Sequence, residues 1–325
     1  MVLNRGRFLY AAAAALAASA SLRARAARAQ PYLRVLLGAG EPQPLRSGGF
    51  EFGGRAYRGN FSRGSDGSIV NVVALEDYLY SVVPREMPSA WPAAALQMQA
   101  ICARTFVVRR ADPRRPYDVV PSQLNQVYEG VGTESQAGRA AVDATAGTVL
   151  MYRSDCAEMA YSSSCGGHTE SAAEAWGGAP QPYLNGVVCP YCTQAPEYRW
   201  TSEIPLVQIE QAMRGHLSEM GRLRGVRLGT TDASGRVREL ALVADRGTVA
   251  VRGSDFRIDV GPRAVRSLLL FKLELQAGSL VHLEGGGNGH GVGLCQWGAR
   301  GMALAESSLA GIAAFYFPGT SLGSL

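Results

Sequence analysis

The chain has 325 residues, of which 47% are hydrophobic and 18% are charged. That balance is typical of a folded globular protein and excludes an intrinsically disordered one. The formal net charge is +5, and the arginines at positions 5, 7, 23, 25 and 28 account for all of it. The rest of the chain is therefore near neutral, without the basic stripe that indicates nucleic-acid binding.

The first 29 residues predict a secretory signal peptide. Two arginines precede an apolar run at residues 8–22, and Ala27-Arg28-Ala29 has small residues on both sides of the arginine. The apolar run is shorter than the about 20 residues that a membrane-spanning helix needs. We expect an exported protein of the periplasm or cell envelope, with an uncleaved membrane anchor as the alternative.

The rest of the chain predicts an α+β fold. Apolar and polar residues alternate over short stretches in 31–75, between Gly, Pro and Ser, which indicates strands. Further along, helices are predicted at 75–83, 92–110, 136–145, 205–219, 298–306 and 308–315, and strands at 147–163, 225–260 and 279–284. Because no βαβ repeat occurs, mostly antiparallel strands are expected. We expect residues 30–325 to form two lobes around a cleft, with 30–74 packed on 75–325.

Glu86 lies in the most informative segment, residues 84–92, which prolines bracket between two predicted helices. Proline restricts its own φ and disfavours the helical conformation of the residue before it. Glu86 is therefore predicted on a stiff, non-helical corner. A carboxylate held in that way suits a general acid or base. The alternative is a solvated glutamate in an ordinary turn between helices.

A glycine-rich segment at residues 285–299 contains His290, Gln296 and Trp297. Its glycines permit positive φ angles and close approach by a ligand or another backbone. The segment lacks the G-x-G-x-x-G spacing and the βαβ unit of a dinucleotide site. An amide next to a flat aromatic ring suits a sugar, and a tight β-bulge with a hydrogen-bonded histidine is the alternative.

Several motifs along the chain resemble one known family, the sporulation stage II protein D (SpoIID/LytB) family. In chain order they are Leu75-Glu76-Asp77-Tyr78-Leu79, Glu86-Met87-Pro88, Ala103-Arg104-Thr105-Phe106, Gln126-Val127-Tyr128, Ser164 to Glu170, and Gly289 to Ala299. The resemblance runs from about residue 33 to 322. It implies a lytic transglycosylase acting on peptidoglycan glycan strands stripped of stem peptides. Other members of the family are described as enhancers of a cell-wall amidase, which is the alternative function.

The resemblance also implies roles for individual residues. Glu86 would be the single acid/base, first protonating the glycosidic oxygen and then deprotonating the muramyl C6 hydroxyl. The expected substrate-binding residues are Gln97, Arg104, Gln126, Tyr128, Tyr198, Arg199, His290, Gln296 and Trp297. At 1.5 Å per residue, Arg104 lies about 18 Å along its helix, so it either binds a distant sugar or braces the fold. Gln97 stands where the family often has a lysine, and Glu76 and Asp77 are expected on a solvated helix face.

Cysteine and histidine spacing predicts a metal site. Cys165-x-x-His168 is followed, after an interval of about 20 residues, by Cys189-x-x-Cys192, which is the spacing of a Cys₃His zinc site. Four protein ligands indicate a structural ion, whereas a catalytic one keeps an open position. A disulfide from Cys165 to Cys189 or Cys192 is the alternative that export favours. Cys295 has no evident partner in the sequence.

A third hypothesis is a zinc-dependent amidase or peptidase that works through His168. The closed ligand set counts against it, because water needs an open position on a catalytic zinc.

Overall fold

A computed structural model describes residues 31–121 and 126–325, so the predicted signal peptide lies outside the described residues. The helices are α1 (Leu75–Glu86), α2 (Ala93–Arg110), α3 (Gln136–Ala144), α4 (Ala172–Trp176), α5 (Leu206–Ala212), α6 (Gly253–Val260), α7 (Gln296–Leu304) and α8 (Leu309–Tyr316). The fold is α+β, as predicted. No helix in the described part of the chain is both long and apolar enough to cross a membrane.

The strands are short. They are β1 (Tyr32–Ala39), β2 (Gln43–Pro44), β3 (Phe50–Phe52), β4 (Arg55–Tyr57), β5 (Asn60–Arg63), β6 (Ser68–Ala74), β7 (Thr148–Tyr152), β8 (Asp155–Cys156), β9 (Tyr161–Ser162), β10 (Trp200–Pro205), β11 (Leu223–Leu228), β12 (Glu239–Ala244), β13 (Gly247–Arg252), β14 (Leu270–Gln276), β15 (Leu280–Gly285), β16 (Leu294–Cys295) and β17 (Ser321–Ser324). They form small sheets ordered β1-β6-β5, β2-β3-β4, β17-β7-β8, β16-β9, β10-β15-β14 and β11-β12-β13. Among these paired strands, only β9 and β16 run parallel, which confirms the mostly antiparallel prediction.

The first hydrophobic core surrounds α2. This helix packs against α1, α3, α7 and β7, and Ala100, Ile101, Cys102 and Ala103 are completely buried. Small residues on a helix let its neighbours approach closely, which explains how several elements pack around it. The strands of 31–74 contribute Leu33, Val35 and Val73 to the same core, so they pack on the helices that follow them.

A second hydrophobic core lies within residues 200–283. It contains Ile209 of α5, Leu242 of β12, Phe256 of α6 and Leu283 of β15, all nearly inaccessible. After this excursion the chain returns to the first core at Val292. The two cores therefore divide the chain near residues 200 and 285, a division that the sequence analysis did not predict.

The predicted helix at 205–219 is shorter in the structure, where α5 ends at Ala212. Two further differences have clear physical causes. Helix α1 continues through Pro84 to Glu86, because Val82 and Val83 are fully buried and their packing outweighs the cost of one proline near the helix end. The predicted strand region 225–260 ends in a helix, since Gly253–Val260 forms α6 with Phe256 facing the second core.

Candidate active site

Glu86 is the last residue of α1, so the prediction of a non-helical position is wrong. The corner begins one residue later, at Met87, whose backbone is extended with φ −132° and ψ 140°. The Glu86 side chain is half-buried, and its Oε1 accepts a hydrogen bond from the Val127 N–H at 3.3 Å. Within the described residues, no Lys, Arg or His nitrogen lies within 4.0 Å of this carboxylate.

Burial raises the pKa of the Glu86 carboxyl above its ordinary value, because water stabilises the charged form better than the protein does. The Val127 N–H, the Tyr161 hydroxyl and Arg85 oppose this rise only in part. Arg85 itself forms an ion pair with Glu129 at 2.8 Å. A carboxyl with a raised pKa holds its proton nearer neutral pH, which is what a general acid requires.

Tyr161 of β9 lies between Glu86 and the glycine-rich segment. Its buried hydroxyl faces the Glu86 carboxyl, and its backbone lies against the His290 ring. β9 pairs with β16, which lies within this segment, and Tyr161 is directly opposite Leu294. Tyr161 is therefore close to both Glu86 and His290.

His290 is neutral at physiological pH. Its Nδ1 accepts a hydrogen bond from the Val292 N–H at 3.0 Å. Burial, followed by the charges of Arg257 and Arg236, lowers the pKa of its imidazole to about 4. His290 can therefore orient a ligand, but its protonated form is scarce at neutral pH.

The glycines near His290 allow protein groups to approach. Gly289 has φ +106°, and a Cβ there would lie 2.7 Å from the Cβ of Ser162. Gly291 has φ +83°, and a Cβ there would collide with the Arg236 guanidinium. These positions therefore need glycine because the chain itself packs against them.

Trp297 provides a second link between the glycine-rich segment and the Glu86 corner. Its ring centroid lies 4.9 Å from that of Trp91 with the planes at 63°. The Arg300 guanidinium lies 5.1 Å from the Trp297 ring and 5.9 Å from the Trp91 ring. Both indoles are partly accessible, so they form an aromatic surface beside the corner.

Gln126 and Gln296 are buried, whereas the predicted sugar binding requires accessible side chains. Gln126 is 1% exposed; its Oε1 accepts from Tyr78 at 3.0 Å and its Nε2 donates to the Ala103 carbonyl at 3.2 Å. Gln296 donates from Nε2 to Gln99 Oε1 at 3.1 Å inside the first core. Their amides pair with protein groups and position the core, which corrects the expectation of sugar binding.

Tyr128 and Arg104 are also buried. The Tyr128 hydroxyl, 2% exposed, donates to Asn71 Oδ1 at 2.7 Å. Arg104 has no exposed surface and forms an ion pair with Glu76 at 2.6 Å. The bracing alternative for Arg104 therefore fits the structure, and the predicted solvated position of Glu76 is wrong because Glu76 neutralises Arg104.

Gln97, Tyr198 and Arg199 stay at least partly accessible. Arg199 donates to the Gly166 carbonyl at 2.9 Å, and its guanidinium lies 4.1 Å from the Tyr198 ring centroid. None of these three hydrogen-bonds to Glu86 within the described residues. Tyr198 and Arg199 lie against Gly286 of the glycine-rich segment.

A cavity of about 870 Å³ lies between α4 and the second core. His290 and Trp176 line it, with ring centroids 5.1 Å apart. Glu86 is not among the lining residues. His290 therefore lines this cavity and is also close to Tyr161, the residue near Glu86.

Four cysteines form a cluster in the first core. The sulfur atoms of Cys165, Cys189, Cys192 and Cys295 all lie within 4.8 Å of one another, and all four residues are buried. His168 is outside the cluster, and its Nδ1 is 2.6 Å from the Thr169 carbonyl oxygen. The predicted ligand set is thus corrected, because Cys295 of β16 takes the place assigned to His168.

All six cysteines are within the described residues and none forms a disulfide. A tetrahedral zinc ion with bonds of about 2.3 Å separates its sulfur ligands by roughly 3.8 Å. The sulfurs of Cys165 and Cys192 are 3.6 Å apart, which fits that geometry. The ligand set needed for catalysis through His168 is not formed.

Comparison with known proteins identifies the family. Residues 63–152 match a family described as Stage II sporulation protein (SpoIID), and residues 191–293 match a domain of unknown function. An uncharacterized protein of Brachyspira hyodysenteriae is 34% identical over 258 residues, which cover 78% of this chain and 68% of the relative. The chain belongs to the SpoIID family.

Two relatives from Bacillus subtilis carry descriptive names. One, named Stage II sporulation protein D, is 28% identical over 78% of this chain and 75% of its own length. The other, named Amidase enhancer, is 28% identical over 76% of this chain and 40% of its own length. The recognition made from the motifs is therefore confirmed.

Three site residues of this SpoIID chain were missed by the sequence analysis: Tyr161, Trp91 and Cys295. Tyr161 lies three residues before the Ser164-to-Glu170 motif, and Trp91 lies inside the proline-bracketed segment, so both had a positional signal. Cys295 lies within the Gly289-to-Ala299 motif. A fourth thiol in a motif could have been weighed against His168 as a metal ligand.

Proposed function

We propose that this chain is a peptidoglycan lytic transglycosylase in which Glu86 is the single general acid and base. Membership of the SpoIID family supports a role in the cell wall. The observation that supports the catalytic role is the state of Glu86: a half-buried carboxyl with a raised pKa and one backbone hydrogen bond.

The proposed reaction needs only one carboxyl group. Protonated Glu86 gives its proton to the glycosidic oxygen while the bond from that oxygen to muramyl C1 breaks. The resulting carboxylate then takes the proton from the C6 hydroxyl of the same sugar as O6 bonds to C1. The product is a 1,6-anhydro ring, and Glu86 is again protonated. An attacking group already on the substrate gains from proximity, so no second carboxylate or water is required.

Peptide-free glycan strands provide the test. The purified chain should release products ending in 1,6-anhydromuramic acid, detectable by mass spectrometry. Glu86→Gln should lower the rate by roughly 10²–10⁴-fold, the range typical of a general acid or base. Glu51→Gln, an exposed glutamate of β3, should keep the wild-type rate. Equal rates for wild type and Glu86→Gln would refute the assignment.

Amidase activation is the second candidate function, which the relative named Amidase enhancer favours. In that case the chain would bind glycan, release no anhydro product, and raise the rate of a cell-wall amidase added to the same assay. Activation that persists in Glu86→Gln would support this function over catalysis.

The cysteine cluster is proposed to hold one structural zinc ion through Cys165, Cys189, Cys192 and Cys295. Four buried cysteine sulfurs match the ligand number and type that zinc prefers in structural sites. Such an ion would fix the positions of the chain segments that carry its ligands.

Export is proposed as well, since the substrate lies outside the cytoplasm. The predicted signal peptide supports it, and fractionation of cells expressing the full chain would test it. Recovery from the cytoplasm alone would contradict both the export and the peptidoglycan substrate.

A further inference from the structure

The 870 Å³ cavity beside His290 contains chemistry that the proposed reaction does not use. Its walls come from α4, from the start of β12 and from α6. Those elements belong to different parts of the fold, since α4 precedes the second core and α6 packs within it. A cavity at such a junction is a common position for a ligand site.

Arg257 of α6 is the cavity residue whose charge is least compensated. Its Nε and Nη2 both donate to the Arg266 carbonyl, at 3.4 and 3.1 Å. Within residues 31–121 and 126–325, no carboxylate oxygen lies within 4.0 Å of its guanidinium. The other cavity arginines differ, because Arg238 pairs with Glu174 and Arg252 pairs with Asp255 at 2.9 Å.

Burial lowers the pKa of Arg257, which reflects the cost of placing its charge away from water. A guanidinium nevertheless stays protonated, so the charge is present and needs a partner. Planar carboxylates are among the anions that a guanidinium binds through two parallel hydrogen bonds. Arg257 therefore favours a carboxylate ligand in the cavity.

The acidic residues of the wall do not fill this role. Glu174 is already paired with Arg238. Glu170 is buried beside Arg236. Burial raises the pKa of its carboxyl to about 8; Arg236 opposes this rise and Asp232 adds to it. Glu239 lies at the exposed rim, where its Oε2 accepts from the Thr230 hydroxyl at 3.5 Å. A carboxylate in water there is solvated and screened.

The rest of the wall suits a sugar. Trp176 is 58% exposed at the cavity, an unusual position for so large an apolar ring. Its flat face offers apolar contact, and the hydroxyls of Thr230, Thr231 and Ser254 offer hydrogen bonds. His290, neutral and next to Trp176, adds one more polar group.

We propose that this cavity binds an acidic sugar, with Arg257 holding its carboxylate and Trp176 stacking on its ring. Resting on the proposed function, the sugar is a muramic acid residue whose lactyl carboxylate is free. A stem peptide converts that carboxylate to an amide, which removes the charge that Arg257 pairs with. Arg257 is thus a specificity residue that distinguishes stripped strands from peptide-bearing ones.

Binding should be measured by calorimetry with two disaccharides of N-acetylglucosamine and N-acetylmuramic acid, identical except that one has the free lactyl acid and the other its amide. The Glu86→Gln background prevents turnover. We expect the acid to bind at least about tenfold more tightly than the amide, the ratio that a charge-assisted pair provides. Arg257→Gln should remove that preference, and Trp176→Ala should weaken both ligands.

The matched control is Arg227→Gln, which should keep the preference. Arg227 is an exposed arginine of β11, a strand that contributes other residues to the second core. Circular dichroism and melting temperature verify that each variant is folded. Equal binding of acid and amide by the unsubstituted cavity, or a preference retained in folded Arg257→Gln, would overturn the proposal. If Glu86-dependent cleavage occurs without any preference, only the cavity assignment fails. If the preference occurs without cleavage, only the transglycosylase proposal fails.

Discussion

At the scale of single residues, Glu86 combines a half-buried carboxyl with weak compensation for its charge. It accepts one backbone hydrogen bond at 3.3 Å, and the adjacent Arg85 is engaged with Glu129. Because the raised pKa reflects burial first, the ionised form of Glu86 is less favourable in the folded protein than in the unfolded chain. The arrangement that suits catalysis therefore lowers stability at high pH.

Replacing Glu86 with Gln should stabilise the protein in a pH-dependent way. The folded pKa of Glu86 is above the unfolded one, so proton binding favours the folded state. That contribution is complete below about pH 4, under the unfolded value, and is lost as pH rises through the folded pKa. The melting temperature of Glu86→Gln minus that of wild type should therefore increase from pH 4 to pH 8, measured by calorimetry.

The control is Glu51→Gln, because Glu51 of β3 is exposed to water. Its melting temperature relative to wild type should lack the increase expected for position 86. A decrease for Glu86→Gln with rising pH would mean that the folded state favours the charged carboxylate, contrary to the sign derived above.

The assignment of Glu86 as the acid stays a prediction, whereas the assignments of two amides to sugar binding are wrong. Glu86 was identified because prolines on both sides restrict the backbone, a constraint visible in the sequence. Gln126 and Gln296 were assigned to sugar binding, but their amides hydrogen-bond to Tyr78 and Gln99. An amide that binds a ligand and one that completes a core are chemically identical, so only the fold distinguishes them.

At the scale of elements, one buried ion pair ties α1 to α2. Glu76 in the first turn of α1 accepts from Arg104 Nη2 at 2.6 Å and from the Gly147 N–H at 3.0 Å. Arg104 also donates to the Thr148 carbonyl at 3.0 Å, where β7 begins. The pair thus fixes two helices and a strand relative to one another, including α1, which carries Glu86 at its other end.

Arg104→Met should lower the free energy of unfolding by about 3–5 kcal/mol, because it leaves the Glu76 carboxylate buried without a partner. Urea unfolding followed by circular dichroism measures this loss. Adding Glu76→Gln to Arg104→Met should recover part of the stability, since the uncompensated charge is then absent.

Arg109→Met on the same helix is the matched control. Arg109 pairs with Glu158 at 2.9 Å, but both side chains are partly exposed. The expected loss is therefore below about 1 kcal/mol. Similar losses for the two variants would show that burial does not determine the strength of the Arg104 pair.

Element types were largely predictable, and their ends were less so. Helix α2 was predicted at 92–110 and is observed at Ala93–Arg110, because Pro92 and Asp112-Pro113 mark its ends. Helix α1 runs three residues beyond its predicted end, since tertiary packing of Val82 and Val83 outweighs the local effect of Pro84. The α6 helix was missed within a region of strand-like alternation.

At the scale of the whole molecule, the second core, within residues 200–283, is a long excursion of the chain from the first core. The segments before and after it meet again at the four cysteines. Cys165 and Cys295 are 130 residues apart in the chain, yet the Cys165 N–H lies 3.2 Å from the Cys295 sulfur. The second core is built almost entirely from the residues between them. Sequence spacing favoured nearby ligands, and the distant cysteine was missed because spacing carries no information on such returns of the chain.

A zinc ion at this point would connect the start and the end of the excursion, so Cys295→Ser should affect the entire protein. We expect wild type to contain one zinc per chain by elemental mass spectrometry, and Cys295→Ser to lose it during dialysis against a chelator. Unfolding free energy should fall by several kcal/mol, because binding of a structural ion adds to the stability of the fold.

His168→Ala separates this arrangement from the one that the sequence predicted. His168 lies outside the sulfur cluster, so this variant should keep its zinc, and Cys102→Ser, a buried thiol elsewhere in the first core, should keep it too. Loss of zinc from His168→Ala with retention in Cys295→Ser would restore the Cys₃His set. If the wild-type protein contains no metal and its four cluster thiols can be titrated, the zinc proposal is wrong. Packing alone would then join the two ends of the chain that flank the second core.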